Sequence, residues 1–133
     1  MLPKSGKRYA RVHDRPRILI VEDELPLRRL MAMMLERHGY QAIQAANGLE
    51  GLEKVRELGP PAAALVDLMM PVMDGETFAR SVREQYSFPI ILVSASPEAG
   101  EVAAALELDF LAKPYDFDVL IERLRLATGE AAA

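Results

Sequence analysis

Cysteine is absent from the 133 residues and histidine occurs only twice, which excludes disulfides and thiolate metal sites and leaves oxygen ligands for any metal. No apolar run approaches the roughly 18 residues that span a bilayer, and the N-terminus lacks the apolar core of a signal peptide. A soluble, cytoplasmic protein without membrane insertion is expected. Positive charge is scarce outside the head. Residues 1 to 17 carry six Lys or Arg against Asp14 alone, about +5, which leaves roughly −9 for the remainder of a chain whose formal net charge is −4. The head has no repeat, few aromatics and no apolar periodicity, so residues 1–16 are expected to be a flexible basic extension. His13 within it and His38 near a helix end are expected to be ordinary surface residues. Half the chain is hydrophobic, enough for one core and too little length for two. One domain over 17–127 is expected, with 128–133 as a disordered tail.

What is present is organised around Ala63-Ala64-Leu65-Val66-Asp67-Leu68-Met69-Met70-Pro71-Val72-Met73-Asp74-Gly75. No polar residue interrupts 62–66, so this run reads as a strand buried on both faces, and it stops at the carboxylate of Asp67. Pro71 and Asp74-Gly75 mark a loop, with Asp74 placed to cap a helix that runs to about Gln85. Upstream, Arg17-Ile18-Leu19-Ile20-Val21 is a second apolar strand, ending in Glu22-Asp23-Glu24. Its helix has Pro26 in the first turn and a buried face of Leu27, Leu30, Met31, Met34, Leu35 and His38, and it stops at Gly39. The methionines at this spacing are core filling.

Residues 40–45 read as a partly polar edge strand. A helix follows, capped by Asn47 with Glu50 three residues on, turning Leu52 and Val55 inward and ending at Gly59-Pro60-Pro61. Residues 88–93 form a third buried strand, ending in Ser94-Ala95-Ser96. A weak helix around 102–107 follows, which Pro97 can start with Gly100 in its opening turns, with Val102, Ala105 and Leu106 as its narrow stripe and no glycine at its end. It leads to a short strand, Asp109–Ala112, that ends in Lys113-Pro114. The last helix starts at Asp116 and buries Phe117, Leu120, Ile121 and Leu124.

Five strands, each followed by a helix, imply an α/β fold with parallel strands, right-handed crossovers and helices on both faces of the sheet. The carboxyl ends of such strands share one edge, which gathers Glu22, Asp23, Asp67, Ser94 and Lys113. Three carboxylates so close together cannot all stay ionised unless protons or a cation offset their repulsion. Mg²⁺ suits this acid count and the lack of Cys and His, since it takes oxygen ligands and completes its shell with water and phosphate. Lys113 adds a point charge and Ser94 a hydroxyl, so Asp67 is set up as a nucleophile for phosphoryl transfer. Singly, each residue has a structural explanation as a helix cap, a solvated charge or a loop former; the argument rests on their joint placement at four strand ends.

With Ile20-Val21-Glu22-Asp23-Glu24, the 67–75 stretch, Val93-Ser94-Ala95 and Lys113-Pro114, the chain resembles the receiver domain of two-component response regulators over about residues 17–127. The resemblance implies a CheY-like, flavodoxin-like receiver fold with strand order 2-1-3-4-5. It further implies that Asp67 is the phosphoacceptor, that Mg²⁺ is bound by Asp23, Asp67 and the backbone carbonyl of Met69, and that Glu22 acts through water. Ser94 and Lys113 are then expected to contact the phosphoryl group, with backbone N–H groups near Leu68 and Ala95 helping, and Phe110 is the switch aromatic. The same resemblance implies a cis Lys113-Pro114 bond.

Three departures are visible. Glu22 stands where Asp is commoner, Phe110 has no hydroxyl, and the segment from Ser94 to Lys113 is short and lacks a Gly-Ala turn. The expected partners are a histidine kinase or histidine phosphotransfer protein and an unknown downstream protein, with no DNA-binding domain, in a monomer or weak homodimer. The chain is expected to be a signalling phosphoacceptor rather than an enzyme, promoting its own phosphotransfer and slow dephosphorylation. A flavodoxin-type FMN site is disfavoured because Glu22-Asp23-Glu24 repels phosphate. A haloacid-dehalogenase-type phosphatase needs an acid where Met69 stands. A phosphorylation-independent pseudo-receiver is the alternative, although it would normally have lost Asp67 or Lys113.

Overall fold

The computed structural model describes residues 14–70 and 72–129, so the expectations for residues 1–13, Pro71 and residues 130–133 lie outside the described residues. In chain order the elements are β1 (Arg17–Val21), α1 (Leu25–Arg37), β2 (Gln41–Ala45), α2 (Gly48–Leu58), β3 (Ala63–Asp67), α3 (Gly75–Arg83), β4 (Ile90–Ser94), α4 (Ala99–Ala105), β5 (Asp109–Ala112) and α5 (Phe117–Ala127). The five strands form one parallel sheet in the order β2-β1-β3-β4-β5, as the resemblance implied.

Alternation along the strands divides the interior in two. Leu19 and Val21 of β1 join Leu52 and Val55 of α2, Phe78 and Val82 of α3 and Ala99 and Ala103 of α4 on one face. Ile18 and Ile20 join Met31 and Leu35 of α1 and Leu120, Ile121 and Leu124 of α5 on the other. Strands apolar on every residue are thus explained by having helices on both sides.

Local signals fix several ends. Asn47 accepts a hydrogen bond from the Glu50 N–H at 2.9 Å, and Asp74 accepts one from the Thr77 N–H at 2.8 Å, so both expected caps form. Gly39, at φ +91, closes α1, with the Gly39 and Tyr40 N–H groups donating to the Glu36 and Leu35 carbonyls.

Three expectations need correction. On α1, Leu30 is 51% exposed while Ala32 is buried, and His38 is exposed as expected of a surface residue near the helix end. The helix presents a narrower stripe to the sheet than the spacing implied, because Leu30 turns into a groove described below. β4 starts at Ile90; Phe88 is buried without joining the strand, and Pro89 contributes only its carbonyl, which accepts the Ala64 N–H. Helix α4 begins at Ala99, so Ala99 and Ala103 face the core and Ala105 is exposed. It closes without glycine because Glu107 adopts φ +56, with the Glu107 and Leu108 N–H groups donating to the Ala104 and Ala103 carbonyls.

Candidate functional site

The register of the strands places the acids before any side chain is considered. Val21 pairs with Val66, Asp67 with Val93 and Ser94 with Ala112, so Glu22, Asp67, Ser94 and Lys113 all lie at the carboxyl edge of the sheet. The backbone continues the tie beyond the strands, since the Lys113 N–H donates to the Ser94 carbonyl at 3.0 Å and the Glu22 N–H to the Ala45 carbonyl at 3.1 Å.

Glu22 is 3% exposed, an unusual depth for a carboxylate. Its Oε2 accepts the Glu24 N–H at 3.1 Å, and its Oε1 lies 3.3 Å from Lys113 Nζ. Burial pushes its pKa up and the Asp67 charge adds to that, against the pull of the Glu24 N–H and Lys113. Lys113 Nζ also stands 3.5 Å from Asp67 Oδ2. Burial disfavours the ammonium, but the Asp67 and Glu22 carboxylates outweigh it together and hold the lysine above its ordinary value. Asp67 Oδ1 accepts the Met69 N–H at 3.2 Å, which orients the carboxylate from its own loop.

Glu22, Asp23 and Asp67 can each bring one oxygen within 4.8 Å of the others, a spacing that could hold a metal ion. Nitrogen and sulfur ligands are missing from this donor set, and the Lys113 ammonium pairs with two of its three carboxylates, Glu22 at 3.3 Å and Asp67 at 3.5 Å. It therefore fits a hard divalent cation, which would offset the burial of the Glu22 carboxylate and its repulsion by Asp67.

Ser94 is buried and its Oγ accepts the Ser96 N–H at 3.0 Å, leaving the hydroxyl proton free to donate. Ala95 beside it is exposed. Phe110 is half-buried against α4, and its carbonyl accepts Arg123 Nη1 at 3.0 Å. The Lys113-Pro114 peptide is cis, as expected.

Sequence reasoning missed three neighbours of the acids. Arg28 Nη1 donates to the Glu22 carbonyl at 2.8 Å, pinning the turn between β1 and α1 from the second turn of the helix. Tyr115 follows the cis proline, and burial raises its hydroxyl pKa. A groove of about 500 Å³ opens beside Lys113 between α1 and the β5–α5 loop, walled by Leu27, Leu30, Met31, Met34, Pro114, Tyr115 and Phe117. The exposed Leu30 marks it, but only the packing of α1 against α5 distinguishes an unfilled face from a core face.

Comparison with known proteins agrees with this fold. The family model described as "Response regulator receiver domain" matches residues 18–125. The transcriptional regulatory protein CseB of Streptomyces coelicolor is 36% identical over 115 residues, 84% of this chain and 49% of the relative. The transcriptional regulatory protein ResD of Bacillus subtilis is 36% identical over 119 residues, 87% of this chain and 49% of the relative. The chain thus spans about half the length of these curated relatives. Among solved structures, Vibrio cholerae chemotaxis protein CheY4 superposes with a TM-score of 0.77 at 30% identity, covering 85% of this chain and 98% of that one. A sensor protein from Polaromonas gives a TM-score of 0.78 at 35% identity, covering 89% and 99%.

Proposed function

The chain belongs to the response regulator receiver family, and from that premise we propose that it takes a phosphoryl group onto Asp67 from a histidine kinase or histidine phosphotransfer protein and changes its partner binding in consequence. The observation that carries this reading is the Asp67 carboxylate held between the Met69 N–H and the Lys113 ammonium at an open strand edge. An Asp67 oxygen attacks phosphorus, the O–P bond forms as the donor N–P bond breaks, and the imidazole nitrogen leaves with the bonding pair. Lys113 and the Ser94 hydroxyl meet the phosphoryl oxygens, with backbone N–H groups near Leu68 and Ala95 helping. Asp23, Asp67 and the Met69 carbonyl, with Glu22 acting through water, are the residues that would hold Mg²⁺, whose charge offsets the acids and the incoming phosphoryl group. Slow hydrolysis of the acyl phosphate then returns the carboxylate.

The groove beside Lys113 supports docking of the phosphodonor protein, because it is apolar and adjoins the acceptor. Phosphorylation adds close to two negative charges beside Ser94 and Lys113, which draws Ser94 inward and lets Phe110 swing toward the space it leaves. The relatives twice as long are named transcriptional regulators, and control of transcription is accordingly the proposed output, in a longer chain or through a partner.

Incubation with acetyl phosphate and Mg²⁺ tests the reading: an acid-stable, base-labile adduct of one phosphoryl group is expected on the unsubstituted chain and none on Asp67→Asn. Labelling that persists in Asp67→Asn overturns it, and absence of labelling in both favours the pseudo-receiver.

A further inference from the structure

Gly48 opens α2, yet its backbone φ is not in the left-handed region that favours glycine, so conformation does not explain it. Space does. A Cβ at position 48 would stand 2.7 Å from Met73 Cγ, 2.9 Å from the Met73 carbonyl oxygen and 3.0 Å from Met73 Cβ. The Gly48 N–H donates to that same carbonyl at 3.2 Å. A helical start on one element is therefore moulded onto the backbone of the loop that leaves Asp67.

That loop is also closed at its base. A Cβ at Gly75 would collide with the Asp67 carbonyl oxygen, and the Gly75 N–H donates to the Leu68 carbonyl at 3.0 Å. Between the two contacts Val72 stands at φ +71, a costly conformation for a β-branched residue, which persists only where the surroundings over-determine it. Gly75 fixes where the loop ends; Gly48 is the brace applied from outside it. Met69, which orients Asp67 through its N–H, lies within the braced span.

We propose that Gly48 is a positioning residue for phosphoryl acceptance: by letting the Met73 carbonyl approach its Cα, it sets the loop that aims the Met69 N–H and carbonyl at the acceptor site. This rests on the reading of Asp67 as phosphoacceptor and of the Met69 carbonyl as a metal ligand. Displacing the Met73 carbonyl lets Val72 relax and moves Met69 relative to Asp67, while α1, α5 and their core are untouched.

The test uses Gly48→Ala with Gly100→Ala as control, because a Cβ at Gly100 would meet only the Phe110 ring at an ordinary 3.8 Å. Mg²⁺ alone is titrated and followed by amide chemical shifts, and labelling by acetyl phosphate is timed separately. Gly48→Ala is expected to weaken Mg²⁺ binding and slow labelling, each by about ten-fold, the scale of losing support behind a metal ligand. Gly100→Ala is expected to change neither, and amide exchange in α1 is expected to be the same in all three chains. In the unsubstituted chain, the Gly48 amide resonance is expected to move with the same half-saturation as that of Met69. Undiminished Mg²⁺ affinity in Gly48→Ala, a loss of stability without a loss of affinity, or a Gly48 amide that ignores Mg²⁺ overturns the proposal. Failure of the unsubstituted chain to be labelled strikes instead at the phosphoacceptor reading, and the Mg²⁺ titration still decides the role of Gly48.

Discussion

Helices α1 and α4 lie on opposite faces of the sheet, α1 over β1 and β2 and α4 over β4 and β5, yet α1 buries Met31, Ala32 and Leu35 along 13 residues while α4 buries only Ala99 and Ala103 along 7. Both end in the same motif of crossed hydrogen bonds, but α1 places Gly39 at the left-handed position and α4 places Glu107 there. Left-handed backbone costs an ordinary residue about 1–2 kcal/mol, so one helix closes freely and the other closes under strain. The difference follows the division of labour in the site. Glu22 and Asp23, proposed to hold the metal, lie on the α1 side, whereas Ser94 and Phe110 adjoin α4 and are the groups proposed to move. Few buried apolar contacts and a strained end are the physical content of a segment poised to open.

The largest test of this contrast is a core truncation on each side. Leu35→Ala removes a fully buried side chain and is expected to lower stability by about 3 kcal/mol in urea unfolding, whereas Ala103→Gly costs about 1 kcal/mol through helix propensity. Equal costs would erase the contrast. Amide exchange reads it without substitution. Residues 99–105 should exchange at least about ten-fold faster than residues 29–37, a gap of about 1.4 kcal/mol, and should slow when Asp67 carries a phosphoryl mimic. Equal protection in the two helices, unmoved by the mimic, would show that α4 is a firm element.

Burial and the neighbouring Asp67 charge both penalise the Glu22 carboxylate, against the pull of Lys113, and Glu22→Gln is expected to stabilise the metal-free domain at neutral pH. The sign follows from linkage. A carboxyl whose folded pKa is raised favours the folded state below its ordinary value of 4.5 and loses that contribution as pH rises through the folded value. The two proteins should therefore converge in stability as pH falls toward 4.5, and Mg²⁺ should reverse their order at pH 7. A constant difference across that range would mean that Glu22 is not the source. The smallest effect is expected from Glu107→Gly: relief of left-handed strain, less the extra chain entropy of glycine, leaves a gain of about 0.5 kcal/mol. Slower exchange confined to α4, with Mg²⁺ affinity unchanged, is its signature.

The sequence by itself determined the element order, because uninterrupted apolar runs ending in Asp67, Ser94 and the Glu22-Asp23 pair admit little besides buried parallel strands. It also determined the caps at Asn47 and Asp74, which depend only on neighbours three residues away. Strand register is set by pairing between distant segments, so only the tertiary structure brought Lys113 to 3.3 Å from Glu22 and 3.5 Å from Asp67. The same holds for Leu30, whose helical spacing marks it as core but whose exposure depends on whether α5 comes close enough to cover it. It holds for Gly48 as well, where a small residue has no local reason and acquires one from a carbonyl 25 positions further along the chain. Local propensity acts over a few residues and is readable in the sequence; contacts across the fold are decided by which faces meet.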